Sequence, residues 1–162
     1  QGLVKDNLPY QGFVFFGLIN TSKGPKVIEY NVRMGDPETE VVIPRLETDI
    51  VDLFVAMHNG TLDQIDMQVT AQTAATVMAV SGGYPGSYEK GKVIEGLRDF
   101  EGTTVYHAGT KPGEQITTSG GRVMAFTSFG ADKDEALAKS YAALKAVSFE
   151  GMNYRTDIGF DL

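Results

Sequence analysis

The stretch Lys26–Glu40, KVIEYNVRMGDPETE, runs a short strand pattern straight into a Gly-Asp-Pro-Glu turn, and it is dense in both carboxylates and backbone-bending residues. A strand sends alternate side chains to opposite faces, so Val27, Glu29, Asn31 and Arg33 share one face and Ile28, Tyr30 and Val32 the other. One face is expected to be core and the other chemistry. Residues two apart on a strand stand roughly 6.5 to 7 Å from one another, close enough for the Glu29 carboxylate and the Asn31 amide oxygen to converge on one hard cation. A Glu-x-Asn pair alone is most often an ordinary solvated edge. The RMGDPE that follows changes the weighing. Arg33 is suited to a bidentate contact with phosphate or carboxylate, and Gly35 tolerates a conformation that other residues resist. Asp36 is a good N-cap and Pro37 fits a first helical position, which predicts a helix starting there with its free backbone donors facing an anion. Plain helix capping accounts for Asp36 and Pro37 equally well, and the two readings are compatible.

Upstream, Gly12–Asn20 (GFVFFGLIN) is almost wholly apolar on both faces, the pattern of a strand buried between layers, and TSKGP supplies a turn. The charged strand is therefore expected to form a hairpin with a buried partner, and the aromatics of FVFF to be core. Downstream, Pro44 should interrupt the helix. Helix resumes near Thr48, with Ile50, Leu53, Phe54 and Met57 as a core face and Gly60 as the stop.

From Thr61 the character changes, and a lobe boundary is expected near 62–70, giving lobes 1–61 and 62–162. The second reads as short strands between glycine-rich turns: Ala74–Val80, Thr103–Ala108, Gln115–Thr118 and Arg122–Phe129, with KPGE as a turn. Asp132 with Glu135 three residues on is an N-terminal capping pattern, followed by Leu137, Tyr141, Leu144 and Val147 or Ser148 along one face. That helix should cover the sheet. The fold class expected is α+β, a hairpin plus helices followed by a small, mainly antiparallel β lobe covered by a helix.

With 162 residues, 42% of them hydrophobic, the chain has the means to bury a proper core. Its net charge of −7 argues against nucleic acid as a partner, because phosphate contacts need a basic surface. No apolar run approaches the ~20 residues that span a bilayer, so a soluble, cytoplasmic protein is expected. The lack of cysteine excludes disulfides and zinc-thiolate sites. The start at Gln1, without an initiator methionine, reads as a chain entered partway or trimmed.

Three further features have plain structural readings. Ser81–Gly91 (SGGYPGSYEKG) lacks GxxxxGK[ST] and does not clearly open a helix, so it is read as a structural loop. Lys90 and Lys92 are placed to reach an anion, though solvated lysines are the default. His107 beside Tyr106 reads as a satisfied structural histidine, and His58 sits at a helix end, where a cation is favoured.

IEYNVRMGDPETEVVIPRL resembles the signature of the glycinamide ribonucleotide synthetase (phosphoribosylamine-glycine ligase) family of the ATP-grasp superfamily. PYQGFVFFGLI, SGGYPGSYEKG, VYHAGT, TSGGRVMAF and SFEGMNYRTDIG extend the resemblance in one order through nearly the whole chain. It implies an α+β fold in which 1–61 is the end of an ATP-grasp core and 62–162 the family's C-terminal domain. It also implies a de novo purine-biosynthesis ligase that activates glycine with ATP as an acyl phosphate, which the amine of phosphoribosylamine attacks. Glu29 and Asn31 would then bind the magnesium or manganese ion bridging the ATP phosphates. Gly35, Asp36 and Glu38 would lie at the phosphate and substrate end, with Arg33 steadying transferred charge.

The chain departs from the family at Met34, where Phe or Leu is usual, and in lacking an acidic metal ligand on Phe13–Asn20, which leaves the metal two protein ligands. The family's N-terminal domain and nucleotide-clasping lobe do not precede Gln1, so the missing domains of the same protein are expected partners and the 162 residues alone are expected to be inactive. Two other readings stay open: a non-catalytic divalent-metal or assembly module, and another ATP-grasp carboxylate-amine ligase or a carboxylase.

Overall fold

The computed structural model describes residues 2–160, so Gln1, Asp161 and Leu162, the outermost residues of the two expected lobes, lie outside the described residues. The fold is α+β with antiparallel sheets. It divides into two compact units, one made of the described residues up to Val42 with Leu46–Thr70, the other of Ile43–Arg45 with the described residues from Ala71 on.

The first unit opens with a single helical turn, α1 (Gly2–Lys5), and then the hairpin β1 (Phe15–Thr21) and β2 (Gly24–Asn31). Thr21 closes the turn, its hydroxyl donating to the Gly24 carbonyl at 2.7 Å. The strands pair in antiparallel register, Phe15 opposite Asn31, Phe16 opposite Tyr30 and Gly17 opposite Glu29, with a bulge between Gly17 and Leu18. The expected burial of this strand is not found: Phe16 is 53% exposed, Leu18 57% and Ile19 51%. The β1–β2 sheet has two strands only, so apolar side chains on both faces find little to bury against.

The helix expected from Pro37 begins two residues later, as the single turn α2 (Thr39–Val42). The Asp36–Pro37 bond is cis, and the carbonyl of Gly35 accepts the Thr39 amide at 3.0 Å. Pro44 lies in a 3₁₀ turn, Ile43–Arg45, as an interrupter should. Then α3 (Ile50–Asn59) is capped by Asp49, which accepts from the Val51 amide at 2.8 Å, and ends at Gly60 with φ 69°. A β-carbon at that φ is strained, so Gly60→Ala is expected to cost about 1 kcal/mol in a denaturant titration. The expected core face is only half-buried, and Phe54 is exposed; Ala56 is its buried residue. The N-terminal segment is fastened here. The Tyr10 hydroxyl donates to the carbonyls of Phe13 and Val32, Gln11 donates to the Met57 carbonyl, and Phe13 meets Phe54 edge to face.

The second unit holds the sheet β3 (Thr73–Val80), β4 (Thr103–His107) and β7 (Arg122–Gly130), in the order β3–β7–β4. The expected strand at Gln115–Thr118 shrinks to β6 (Thr117–Thr118), paired with an unforeseen β5 (Thr110–Lys111). The central strand β7 is buried almost throughout, with Val123, Met124, Ala125 and Phe126 fully enclosed. On it lies α4 (Lys133–Lys145), whose Ala136, Leu137, Ser140, Ala143 and Leu144 are buried. Ser140 sits at the seam, its hydroxyl donating to the Ala75 carbonyl and meeting Ser128 Oγ, both at 3.0 Å.

The capping pattern at the start of α4 is formed. Asp132 accepts from the Glu135 amide at 2.9 Å, and Glu135 accepts from the Ala131 amide at 2.7 Å while pairing with Lys139 at 2.8 Å. The Lys139 contact, and then the Ala131 amide, hold the Glu135 carboxyl below its ordinary 4.5. A carboxyl depressed on folding stabilises above its unfolded value and loses that contribution as pH falls through the folded one. The thermal midpoint is therefore expected to fall below pH 4.5, and Glu135→Gln to make that fall shallower when midpoints are measured from pH 6 to pH 3.

Candidate active site

Glu29 and Asn31, placed on one face by strand alternation, do meet: the Asn31 amide Nδ2 donates to Glu29 Oε1 at 2.9 Å. That contact uses one carboxylate oxygen and leaves Glu29 Oε2 and the Asn31 amide oxygen as further oxygen donors on the face. On β1 the same face carries Phe15 and Gly17 by register. Gly17 makes the arrangement possible. A β-carbon there would lie 2.9 Å from Glu29 Cγ, so the stem of Glu29 crosses the space any other residue would fill. Sequence reading assigned Gly17 no role; the signal was a glycine interrupting an apolar strand, which marks a close approach. The opposite face carries Phe16 and Tyr30, whose rings meet edge to face at 5.2 Å.

The remaining candidates sit on the turn after β2. Arg33 lies past the strand end, exposed, with Nη1 donating to its neighbour's carbonyl, Met34, at 3.1 Å. Gly35 is buried, and a β-carbon on it would lie 2.1 Å from Glu38 Oε2, so the Glu38 carboxylate folds back onto the turn. Asp36 is exposed between them. Because α2 has only four residues, its dipole adds little, and Arg33 is the one cationic side chain on this turn. Among the described residues no group of three or more His, Asp or Glu side chains is arranged to hold a metal ion.

The other sequence candidates lie in the second unit. His107 Nδ1 and Thr110 Oγ1 are 3.0 Å apart, the partner a structural histidine needs. Lys92 is not a solvated lysine: Nζ is 2.7 Å from Glu89 and 2.8 Å from Glu150, which raises its pKa and lowers that of Glu89.

Residues 1–39, which hold all six candidates, match the family profile "Phosphoribosylglycinamide synthetase, ATP-grasp (A) domain". The biotin carboxylase domain of Hydrogenobacter thermophilus 2-oxoglutarate carboxylase, crystallised with MgADP, superposes with a TM-score of 0.57 over 85% of this chain and 31% of that one. At 20% identity the likeness speaks to fold alone. This is an ATP-grasp-type chain. The profile "Phosphoribosylglycinamide synthetase, C domain" matches residues 74–161, more than half of the sequence, and the chain belongs to the phosphoribosylglycinamide synthetase family.

The phosphoribosylamine–glycine ligase of Chlorobaculum tepidum is 43% identical over 162 residues, 98% of this chain and 38% of that protein. The crystal structure of phosphoribosylamine–glycine ligase from Thermotoga maritima matches with a TM-score of 0.82 and 33% identity, covering 96% of this chain and 39% of that one. The chain thus spans about two-fifths of the length of these relatives. No helix of the described residues is long and apolar enough to cross a membrane.

Proposed function

We propose that this chain supplies the metal and phosphate wall of an ATP-dependent phosphoribosylamine–glycine ligase, together with that enzyme's C-terminal domain. In this reading the first unit is the end of the ATP-grasp core, and the full enzyme joins glycine to 5-phosphoribosylamine through glycyl phosphate, releasing ADP and phosphate in de novo purine biosynthesis. The observation that carries it is the 2.9 Å meeting of Glu29 and Asn31, inside the segment that matches the ATP-grasp profile.

The donor set fits a magnesium or manganese ion. Such ions take hard oxygen ligands, and magnesium is commonly held by one or two carboxylates with water and substrate phosphates completing its shell. Glu29 and the Asn31 amide oxygen would hold it, and when bound it would neutralise charge on the ATP phosphates. Arg33 exchanges its Met34 carbonyl contact for the transferred phosphoryl group, a charge-assisted bond far stronger than the one released. Gly35 keeps the turn backbone free of a side chain, and Asp36 and Glu38 line the substrate end, where their carboxylates accept from an amine. Two protein ligands and one arginine are half a site. The reading therefore expects the 162 residues alone to release phosphate at background when given ATP, glycine and phosphoribosylamine with magnesium. Robust turnover would refute it. The readings as a metal-binding module or a carboxylase have no observation of comparable weight.

A further inference from the structure

The β1–β2 register ends at Phe15 opposite Asn31. One further step of an antiparallel ladder would set Phe13 opposite Arg33, but both strands stop short of that pair, and a side chain stands at the opening. The Tyr10 hydroxyl is 2.8 Å from the Phe13 carbonyl and 3.0 Å from the Val32 carbonyl. With a single proton, it serves as a donor shared between the two chain segments. Gly12 makes room for it. Its φ is 150°, and a β-carbon there would lie 2.6 Å from the Tyr10 hydroxyl oxygen, so any other residue would press the phenol out of its place.

The plain reading is that Tyr10 fastens the N-terminal segment. Two neighbours already do so: Gln11 donates to the Met57 carbonyl on α3, and the Phe13 ring meets Phe54 at 6.0 Å. What those anchors do not supply is the contact with Val32. The Val32 carbonyl and the Arg33 amide belong to one planar peptide unit, so a bond that fixes the carbonyl fixes the plane from which the Arg33 side chain departs. The guanidinium itself is held through Nη1 by the neighbouring Met34 carbonyl at 3.1 Å. A long, exposed side chain aims reproducibly only when the backbone beneath it is held.

We infer that Tyr10 is a positioning residue for Arg33, its hydroxyl holding the open end of the hairpin and setting the peptide from which the guanidinium reaches out. That Arg33 meets a transferred phosphoryl group rests on the ligase reading. The placement of its peptide rests on the first unit alone.

In a phosphoribosylamine–glycine ligase carrying this chain, Tyr10→Phe is expected to lower kcat about tenfold, with KM for ATP within about twofold. In an Arg33→Gln background the same change should cost less than about twofold, because a residue that acts through Arg33 then has nothing left to position. Gly12→Ala, which drives a methyl group onto the hydroxyl, should reproduce the Tyr10→Phe defect. Amide spectra of the 162-residue chain give a readout apart from turnover. Tyr10→Phe should move the amide nitrogens of Arg33 and Val14, which share peptide units with the Val32 and Phe13 carbonyls, and leave those of Glu29 and Leu53 in place. Tyr10 is 41% exposed and phenylalanine keeps its ring, so the fold survives, as the unmoved remainder of the spectrum reports. An equal loss of turnover with and without Arg33, or an unmoved Arg33 amide, overturns the proposal. Failure of the ligase reading looks different: Arg33→Gln then leaves turnover unchanged, while the Arg33 amide still moves with Tyr10→Phe.

Discussion

Glu29→Gln in a phosphoribosylamine–glycine ligase carrying this chain is expected to lower turnover about 10²- to 10³-fold. The substitution keeps the length of the side chain, and its amide oxygen can still accept from the Asn31 amide, a contact that spans 2.9 Å with Glu29. Only the charge and one good anionic donor are lost. The defect should therefore appear as a raised magnesium requirement, partly relieved by excess metal, while substrate-independent stability stays within about 0.5 kcal/mol, as for an exposed surface change. Turnover within twofold of the parent would remove Glu29 from the site. A loss that came with unfolding would assign it to the hairpin frame, in which its stem lies over Gly17.

Phe126→Ala is expected to destabilise the second unit by about 3 to 5 kcal/mol, read from denaturant unfolding followed by far-ultraviolet circular dichroism. Phe126 is wholly enclosed on the central strand, opposite Val77 on β3 and Val105 on β4, with Phe100 meeting it edge to face at 6.4 Å. The cavity left would be walled by two neighbouring strands and α4, none of which can collapse far without breaking the ladder. Stability unchanged within about 1 kcal/mol would mean that the unit's core lies elsewhere.

How much of this was legible in the sequence follows from what each feature depends on. The strands Thr73–Val80 and Arg122–Gly130 and the helix Lys133–Lys145 were readable because their signals are local: β-branched and aromatic runs, and an Asp132–Glu135 cap. That Glu29 and Asn31 share one face was readable for the same reason, since a period of two is a property of one strand; that they meet through the Asn31 amide nitrogen rather than its oxygen was not. Burial was not. Phe15–Thr21 has the composition of a buried strand, but burial depends on what packs against it. The helix starts at Thr39 rather than Pro37, and the Gly35 carbonyl accepts the Thr39 amide ahead of it.

Pairings across long sequence distances were also invisible. Lys92 meets Glu150 across 58 positions, and this second partner, with Glu89, turns an apparent solvated lysine into a fixed one. Gly17 faces Glu29 only once the hairpin register is known.

Whether Glu29 and Asn31 hold the divalent ion of a bound nucleotide is read from paramagnetic broadening of the amide spectrum with manganese and ATP. Mn²⁺ with ATP is expected to broaden Glu29, Asn31 and the facing Gly17 before other residues, and Glu29→Gln to abolish the effect. Broadening centred elsewhere, such as at Glu89 and Glu150, or broadening at Glu29 that survives Glu29→Gln, would contradict it.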